Sequence, residues 1–154
     1  MTLLLHSLIE KAIIKELQLG YPAEGFGFLY SSHKTDGGNP VVDVALPSYS
    51  LVPSDLETFS EDFSDYLALA VAYGVENNFS LRGIYVAHSD HSAIPVERDV
   101  MLIRPELTLL IVAVKKGKAK GMKAWQLSEA GRFVEQSLEV KLDELDLKNL
   151  FIYN

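Results

Sequence analysis

The sequence predicts a single mixed α/β domain, α+β-like in order, in which a mixed β-sheet is flanked by helices. Its 154 residues match the usual size of one domain, and 48% of them are apolar, which is enough for a hydrophobic core. Apolar residues recur at helical spacing in two segments and alternate or run continuously in several others. The segments follow the order helix, strands, helix, strands, which is typical of a mixed sheet with packed helices.

The first predicted element is a helix near the N-terminus. Ser7 and Glu10 have the spacing of a capping box, so we expect the helix to begin there. Gly20 and Pro22 are residues that end helices, which places its C-terminal end near residue 20. The apolar residues at helical intervals between these limits are Leu8, Ile9, Ala12, Ile13 and Leu17.

Two strands and a second helix come next. Residues 26–30 and 41–46 have strand-like composition, and the Asp-Gly-Gly-Asn sequence at 36–39 predicts a hairpin loop between them. A helix start is expected at 54–57, and an apolar stripe over 63–73 extends that helix to about Glu76. The asparagines at 77 and 78 suit its C-terminal end.

The second half of the chain is rich in strands. Residues 81–87 predict a strand, 88–95 a turn-rich loop and 96–103 a short helix. Residues 107–114 and 122–127 predict a hairpin. Beyond Trp125 the pattern leaves two alternatives open: 134–142 alternates like a strand, and 145–151 could form a closing helix.

Composition excludes several classes of function. A formal net charge of −7 argues against a nucleic-acid partner, and Lys115, Lys116, Lys118 and Lys120 fit a solvated hairpin turn. The absence of cysteine excludes disulfides, thiolate metal sites and a cysteine nucleophile. No apolar run reaches the roughly 20 residues that span a bilayer, and no signal peptide is evident. We therefore expect a cytoplasmic protein that binds neither membrane nor nucleic acid.

One segment carries a specific motif. Residues 83–99, GIYVAHSDHSAIPVERD, run from a strand into a polar loop. This segment resembles the signature of JAMM (MPN-type) zinc metallopeptidases, His-x-His-Pro, three variable residues, then Ala-x-Pro-Ser-x-x-Asp. The residues that match it in register are His88, Ala93, Pro95 and Asp99. Asp90 and His91 are similar to an Asp-His pair that prokaryotic members carry.

A second part of the family pattern lies upstream. Members show Pro-x-Glu before a small glycine-containing strand, and this chain has Pro22-Ala23-Glu24 before Gly25. The resemblance covers about residues 3–127 and leaves 128–154 as a C-terminal extension of uncertain structure. It implies a cytidine-deaminase-like JAMM/MPN architecture.

The resemblance also implies a zinc site. In the family, two histidines and an aspartate hold zinc, and a glutamate acts as general acid and base on the metal-bound water. On this sequence, Glu24 is the candidate acid/base, and His88 and Asp99 are candidate metal ligands. Val86 occupies the first histidine position, and Val96 replaces the serine that stabilises the oxyanion.

These departures favour an inactive or weakly metal-binding domain. The resemblance implies that its partner is a protein or peptide tail, of a ubiquitin-like or sulfur-carrier protein, with a homodimer as a further expectation. The alternative is an active zinc hydrolase with an altered ligand set, in which His91 supplies the missing donor and Ser89 the missing hydroxyl. His6 and His33 are given no role. If no metal binds, His88 is expected to hydrogen-bond Asp99 or Glu24.

Overall fold

The computed structural model describes residues 2–51, 62–102 and 104–142. Across these residues, a nine-stranded mixed sheet has the order β3-β4-β1-β9-β8-β7-β6-β2-β5, and two α-helices and two 3₁₀ helices accompany it. The helices are α1 (Ser7–Gly20), a 3₁₀ helix (Ser48–Leu51), α2 (Phe63–Asn77) and a 3₁₀ helix (Glu97–Met101). The strands are β1 (Thr2–His6), β2 (Phe26–Ser31), β3 (Thr35–Asp36), β4 (Asn39–Val42), β5 (Val44–Pro47), β6 (Ser80–Ser89), β7 (Thr108–Lys115), β8 (Lys118–Leu127) and β9 (Phe133–Lys141).

The sheet curls back on itself. Strands β4 and β5 lie towards opposite ends of the hydrogen-bonded order, yet only Asp43 separates them in the chain. The Asp43 N–H donates to the Tyr30 carbonyl at 3.1 Å, and its carboxylate accepts from the Ser32 N–H at 2.8 Å. The expected single strand 41–46 is therefore wrong, because it is split at Asp43. The expected hairpin is also different: the 36–39 turn joins β3 to β4, whereas β2 pairs with β5.

Two apolar layers cover the two faces of the sheet. Side chains alternate along β6, so Tyr85 and Ala87 pack with α1 while Ile84 and Val86 pack with α2. Between them, β7 is buried on both faces from Leu109 to Val114, which explains its continuous apolar sequence.

Most of the expected elements are confirmed, with two corrections at the N-terminus. The N-cap of α1 is His6, whose Nδ1 accepts from the Leu8 N–H at 3.2 Å, and not Ser7. The sequence also did not predict β1, which pairs in parallel with β4 and β9. The expected end of α2 is confirmed, because Asn78 caps it in the left-handed region at φ 59°. Its expected start at 54–57 lies outside the described residues.

The strand alternative holds for the segment after Trp125. Strand β9 pairs antiparallel with β8 and parallel with β1, so it joins the two halves of the sheet. The helix alternative at 145–151 lies outside the described residues. The β7–β8 hairpin is confirmed, with Lys116 and Gly117 at φ 50° and 80° in its two-residue turn. Of the helices that the structure describes, none is long and apolar enough to cross a bilayer.

Candidate functional site

The centre of the site is a buried pair, His88 and Asp99. Strand β6 runs to Ser89, so His88 lies on the strand, on the α2 face with Val86, and not in the loop that the sequence predicted. Its Nε2 lies 3.1 and 3.3 Å from the two carboxylate oxygens of Asp99, and its Nδ1 lies 3.0 Å from the Ser92 carbonyl. Both residues are 1% exposed. The imidazole therefore faces an oxygen acceptor at each nitrogen.

The charges of this pair reinforce one another. Burial alone would lower the pKa of His88, but the hydrogen bonds to Asp99 and Ser92 and the charges of Asp99 and Glu24 outweigh it and raise the pKa. Burial alone would likewise raise the pKa of Asp99, but its bonds to His88 and to the Val96 N–H outweigh that effect and lower the pKa. With a raised pKa at His88 and a lowered pKa at Asp99, the charged form of each partner favours that of the other, and both ring nitrogens face oxygen acceptors.

Asp99 also has a structural role in its own helix. It lies in the 3₁₀ helix Glu97–Met101, and its Oδ2 accepts from the Val96 N–H at 2.7 Å. The Asp99 N–H in turn donates to the Val96 carbonyl at 2.9 Å. The carboxylate thus satisfies a backbone donor at the helix start while it holds His88.

Glu24 reaches the same region from the loop before β2. Its Oε2 accepts from the Ser89 N–H at 2.9 Å. Arg98 binds both carboxylate oxygens, with Nη2–Oε2 and Nη1–Oε1 distances of 2.6 and 2.5 Å. Such a two-point contact is the strong form of an arginine–carboxylate pair. Sequence reasoning missed Arg98, and the only signal was its position in the motif, one residue before Asp99.

The residues at the other motif positions are placed as follows. Val86 is 7% exposed and belongs to the apolar layer under α2, next to Phe26 and Ile111 in the sheet. The Ser89 hydroxyl is buried and has no hydrogen-bond partner among the described residues, so Ser89 offers Glu24 its N–H and not its hydroxyl. His91 is exposed on the loop that follows.

A cavity of about 400 Å³ opens beside the buried pair. The residues that line it are His88, His91, Ser92, Ile94, Val96 and Arg98. Ile94 and Val96 expose about half of their surface, at 51% and 44%. The loop that forms this wall is fixed from below, because the Trp125 indole N–H donates to the Ala93 carbonyl at 3.0 Å. The cavity therefore has an apolar rim beside cationic and polar groups.

The described residues do not fit a catalytic zinc ion. Such a site takes three protein ligands and keeps one position for water. Here His88 and Asp99 bond to each other, the third ligand position is the hydrocarbon of Val86, and Arg98 places a positive charge on Glu24. Across residues 2–51, 62–102 and 104–142, no group of three or more His, Cys, Asp or Glu side chains is arranged to hold a metal. No catalytic step through zinc is therefore derived.

Comparisons with known proteins concern the fold. No protein-family model and no curated protein matches the chain. Two solution structures are similar to this chain. The first, of a protein from Desulfitobacterium hafniense, is 23% identical in sequence; the match covers 93% of this chain and 94% of that protein, with a TM-score of 0.68. A protein from Salinibacter ruber is 26% identical and covers 89% and 90%, with a TM-score of 0.65.

A third similar structure gives the fold a name. The crystal structure of a JAB1/MPN domain protein from Archaeoglobus fulgidus is 17% identical, covers 90% of this chain and 99% of its own, and has a TM-score of 0.53. At this identity the likeness concerns architecture alone. The chain is a mixed α/β domain, with a curled mixed sheet and two helices, whose fold is similar to that of a JAB1/MPN domain.

Proposed function

We propose that this chain is a non-catalytic JAB1/MPN-like domain that binds an extended protein or peptide tail in the cavity beside His88. The observation that carries the proposal is that Val86, a hydrocarbon packed in the apolar layer under α2, stands at the first histidine position. His88 and Asp99 are then two ligands, whereas a catalytic zinc ion takes three from the protein. Glu24, the candidate acid/base, is bound at both oxygens by Arg98.

Three features argue against hydrolysis. Val86 has no lone pair and lies in the apolar layer under α2, so it supplies no ligand. Arg98 binds both oxygens of Glu24 in a two-point contact, so that this carboxylate is already engaged by a cation. Val96 has no hydroxyl to stabilise an oxyanion. No described contact favours the alternative of an active zinc hydrolase, since His91 is exposed on the cavity rim and Ser89 turns its N–H to Glu24.

The cavity supports binding of an extended segment. The exposed Ile94 and Val96 can contact apolar side chains of a bound tail. His91, Ser92 and Arg98 can form hydrogen bonds or ion pairs with its backbone or with a terminal carboxylate. The resemblance of the motif suggests the tail of a ubiquitin-like or sulfur-carrier protein as the ligand. The absence of cysteine is compatible with the cytoplasmic location that this partner class implies.

The proposal is tested by two measurements on the full chain. After loading with excess zinc and desalting, metal analysis should find less than one ion per chain, and a fluorogenic tail conjugate should stay uncleaved. Fluorescence anisotropy with a tail peptide should show binding that Val96→Glu weakens. Val134→Glu is the control, because Val134 is similarly exposed, at 54%, but lies on β9 away from the cavity.

The results that would overturn the proposal are equally defined. Stoichiometric, tightly held zinc together with cleavage of the conjugate would identify a working hydrolase. Equal effects of Val96→Glu and Val134→Glu would show that the cavity does not bind the tail.

A further inference from the structure

The tip of the β7–β8 hairpin concentrates positive charge in an acidic protein. Four of the 14 Lys and Arg residues fall within six positions, whereas the whole chain carries a net charge of −7. These four residues, which we call the lysine hairpin, are Lys115, Lys116, Lys118 and Lys120. All four side chains are exposed. With Asp90 they line a cavity of about 520 Å³.

The register of the hairpin places like charges together. Lys115 and Lys118 are direct cross-strand partners, so their side chains leave the same face of the sheet. A register shift pairs Ala113 with Gly121 and Val114 with Ala119, which leaves Lys120 opposite no residue of β7. None of the four lysines forms an ion pair with a carboxylate that the structure describes. Since like charges directly opposite each other are destabilising, the fold maintains this patch at a cost.

Asp90, which lines this cavity with the lysines, offsets only part of their charge. Its Oδ1 accepts from the Lys116 backbone N–H at 2.9 Å and its Oδ2 from the Tyr21 hydroxyl at 2.6 Å. The Asp90 N–H donates to the Val114 carbonyl at 2.7 Å, and Asp90 adopts a positive φ of 63°. These contacts hold the loop that contains His91 against the base of the hairpin. The carboxylate thus orients the backbone, and the lysine ammonium groups remain available.

The lysine hairpin continues the face of the sheet that carries the candidate site. His88 is the register partner of Ala113 in the parallel β6–β7 pair, and Lys115 lies two residues further along β7. With a rise of about 3.3 Å per residue and a strand spacing of about 4.8 Å, the Cα atoms of His88 and Lys115 are about 8 Å apart. An extended chain that leaves the cavity past His91 therefore reaches the lysines within a few residues.

We propose that the lysine hairpin docks an acidic segment of a polypeptide, so that the tail held in the cavity continues into several Asp or Glu residues. This inference rests on the proposed function and names the chemistry of its partner. A peptide is favoured over nucleic acid because the net charge of −7 repels a long phosphate backbone, whereas a short acidic peptide meets only the local patch. Extended peptides place alternate side chains on one face, which suits the paired lysines.

The test is fluorescence anisotropy with the full chain and two labelled peptides, one of alternating glutamate and serine and one of alternating glutamine and serine. The glutamate peptide should bind and the glutamine peptide should not. Binding should weaken as salt rises from about 0.1 M to about 1 M, because the screening length falls from about 10 Å to about 3 Å. Lys118→Gln combined with Lys120→Gln should weaken binding roughly threefold to tenfold. The control, Lys11→Gln combined with Lys123→Gln, makes the same change in net charge elsewhere and should have no effect.

Several outcomes overturn this inference. Equal loss in the two double variants would show a general charge effect, and tighter binding of single-stranded DNA, or displacement of the peptide by inorganic phosphate, would assign the patch to phosphate groups. If a neutral tail binds in a way that depends on Val96 but not on the lysines, the proposed function stands and only this inference is wrong. An acidic peptide that needs the lysines but not Val96 would uphold the lysine hairpin and remove the proposed cavity.

Discussion

Val86→His is the substitution that most directly tests whether the position of Val86 limits metal binding at the site. Val86 is 7% exposed, so the change removes nearly all the stabilisation of a buried valine, about 2 kcal/mol. It also buries an imidazole without a partner, which costs about 2 kcal/mol more. We expect the metal-free variant to unfold with a free energy about 4 kcal/mol lower than the parent.

Zinc should reverse this loss. The introduced side chain lies at i−2 from His88 on one strand face, and Asp99 lies against His88, so three donors then meet. Zinc at about 1,000 times its dissociation constant would return about 4 kcal/mol, which is the size of the loss. The assay is urea denaturation with and without zinc, with calorimetric titration for stoichiometry.

The control for this experiment is Val86→Asn, which buries a polar group without a zinc-binding imidazole. It should lose stability as well and should not regain it with zinc. A folded Val86→His protein that binds zinc no better than the control would refute the assigned register. Even when zinc binds, we expect no peptide cleavage, since Val96 and the Arg98–Glu24 pair are unchanged.

Three further predictions follow from single contacts. Glu24→Gln removes the charge from a two-point ion pair in which Arg98 is 57% and Glu24 25% exposed, and it should lower the free energy of unfolding by about 1 kcal/mol in chemical denaturation. Asp99→Asn removes the carboxylate that pairs with the buried His88 and should cost about 3–5 kcal/mol in the same assay. The lowered pKa of Asp99 contributes stability above about pH 3.9. The raised pKa of His88 contributes stability below about pH 6.5, and this contribution is lost as the pH rises through the pKa of His88 in the folded protein. The difference in the free energy of unfolding between the parent and Asp99→Asn should therefore be largest between these two limits. Gly27→Ala places a methyl group against the Tyr85 ring and should cost at least about 1–3 kcal/mol in thermal unfolding, whereas Gly121→Ala, which meets open space, should not.

Elements stabilised by local chemistry were predictable from the sequence. Helix α1 has its apolar spacing, the β7–β8 hairpin has its Lys-Gly turn, and the end of α2 has an asparagine that tolerates the left-handed conformation. Strand β1 was not predictable, because Leu3–Leu5 reads as part of the following apolar pattern. Its strand conformation depends on parallel pairing with residues 41–42 and 137–141, which are distant in the chain.

The break at Asp43 and the pairing of Arg98 show the same limit. Strand-like composition across 41–46 predicts one strand, and only the bonds from Ser32 and to Tyr30 make Asp43 a corner of the curled sheet. Arg98 meets Glu24 across 74 residues of sequence, and no local pattern indicates that its guanidinium turns towards that carboxylate. The resemblance to the motif identified Glu24, His88 and Asp99 as candidates, whereas the ion pairs that these residues form could be seen only in the structure.

The retained motif residues do not by themselves imply retained chemistry, because each now stabilises the local fold. His88 joins strand β6 to the Ser92 carbonyl and to Asp99, and Asp99 joins that pair to the Val96 N–H. Losing either partner would leave an unpaired charge in a site that is 1% exposed, a cost of several kcal/mol. The structural cost of changing either residue therefore does not depend on zinc, whereas Val86 is a hydrocarbon that packs in the apolar layer. The wall that these contacts hold in place, from Ser92 to Val96, is the same wall that lines the proposed tail-binding cavity, so substitutions of His88 or Asp99 should weaken the proposed tail binding as well as the local fold.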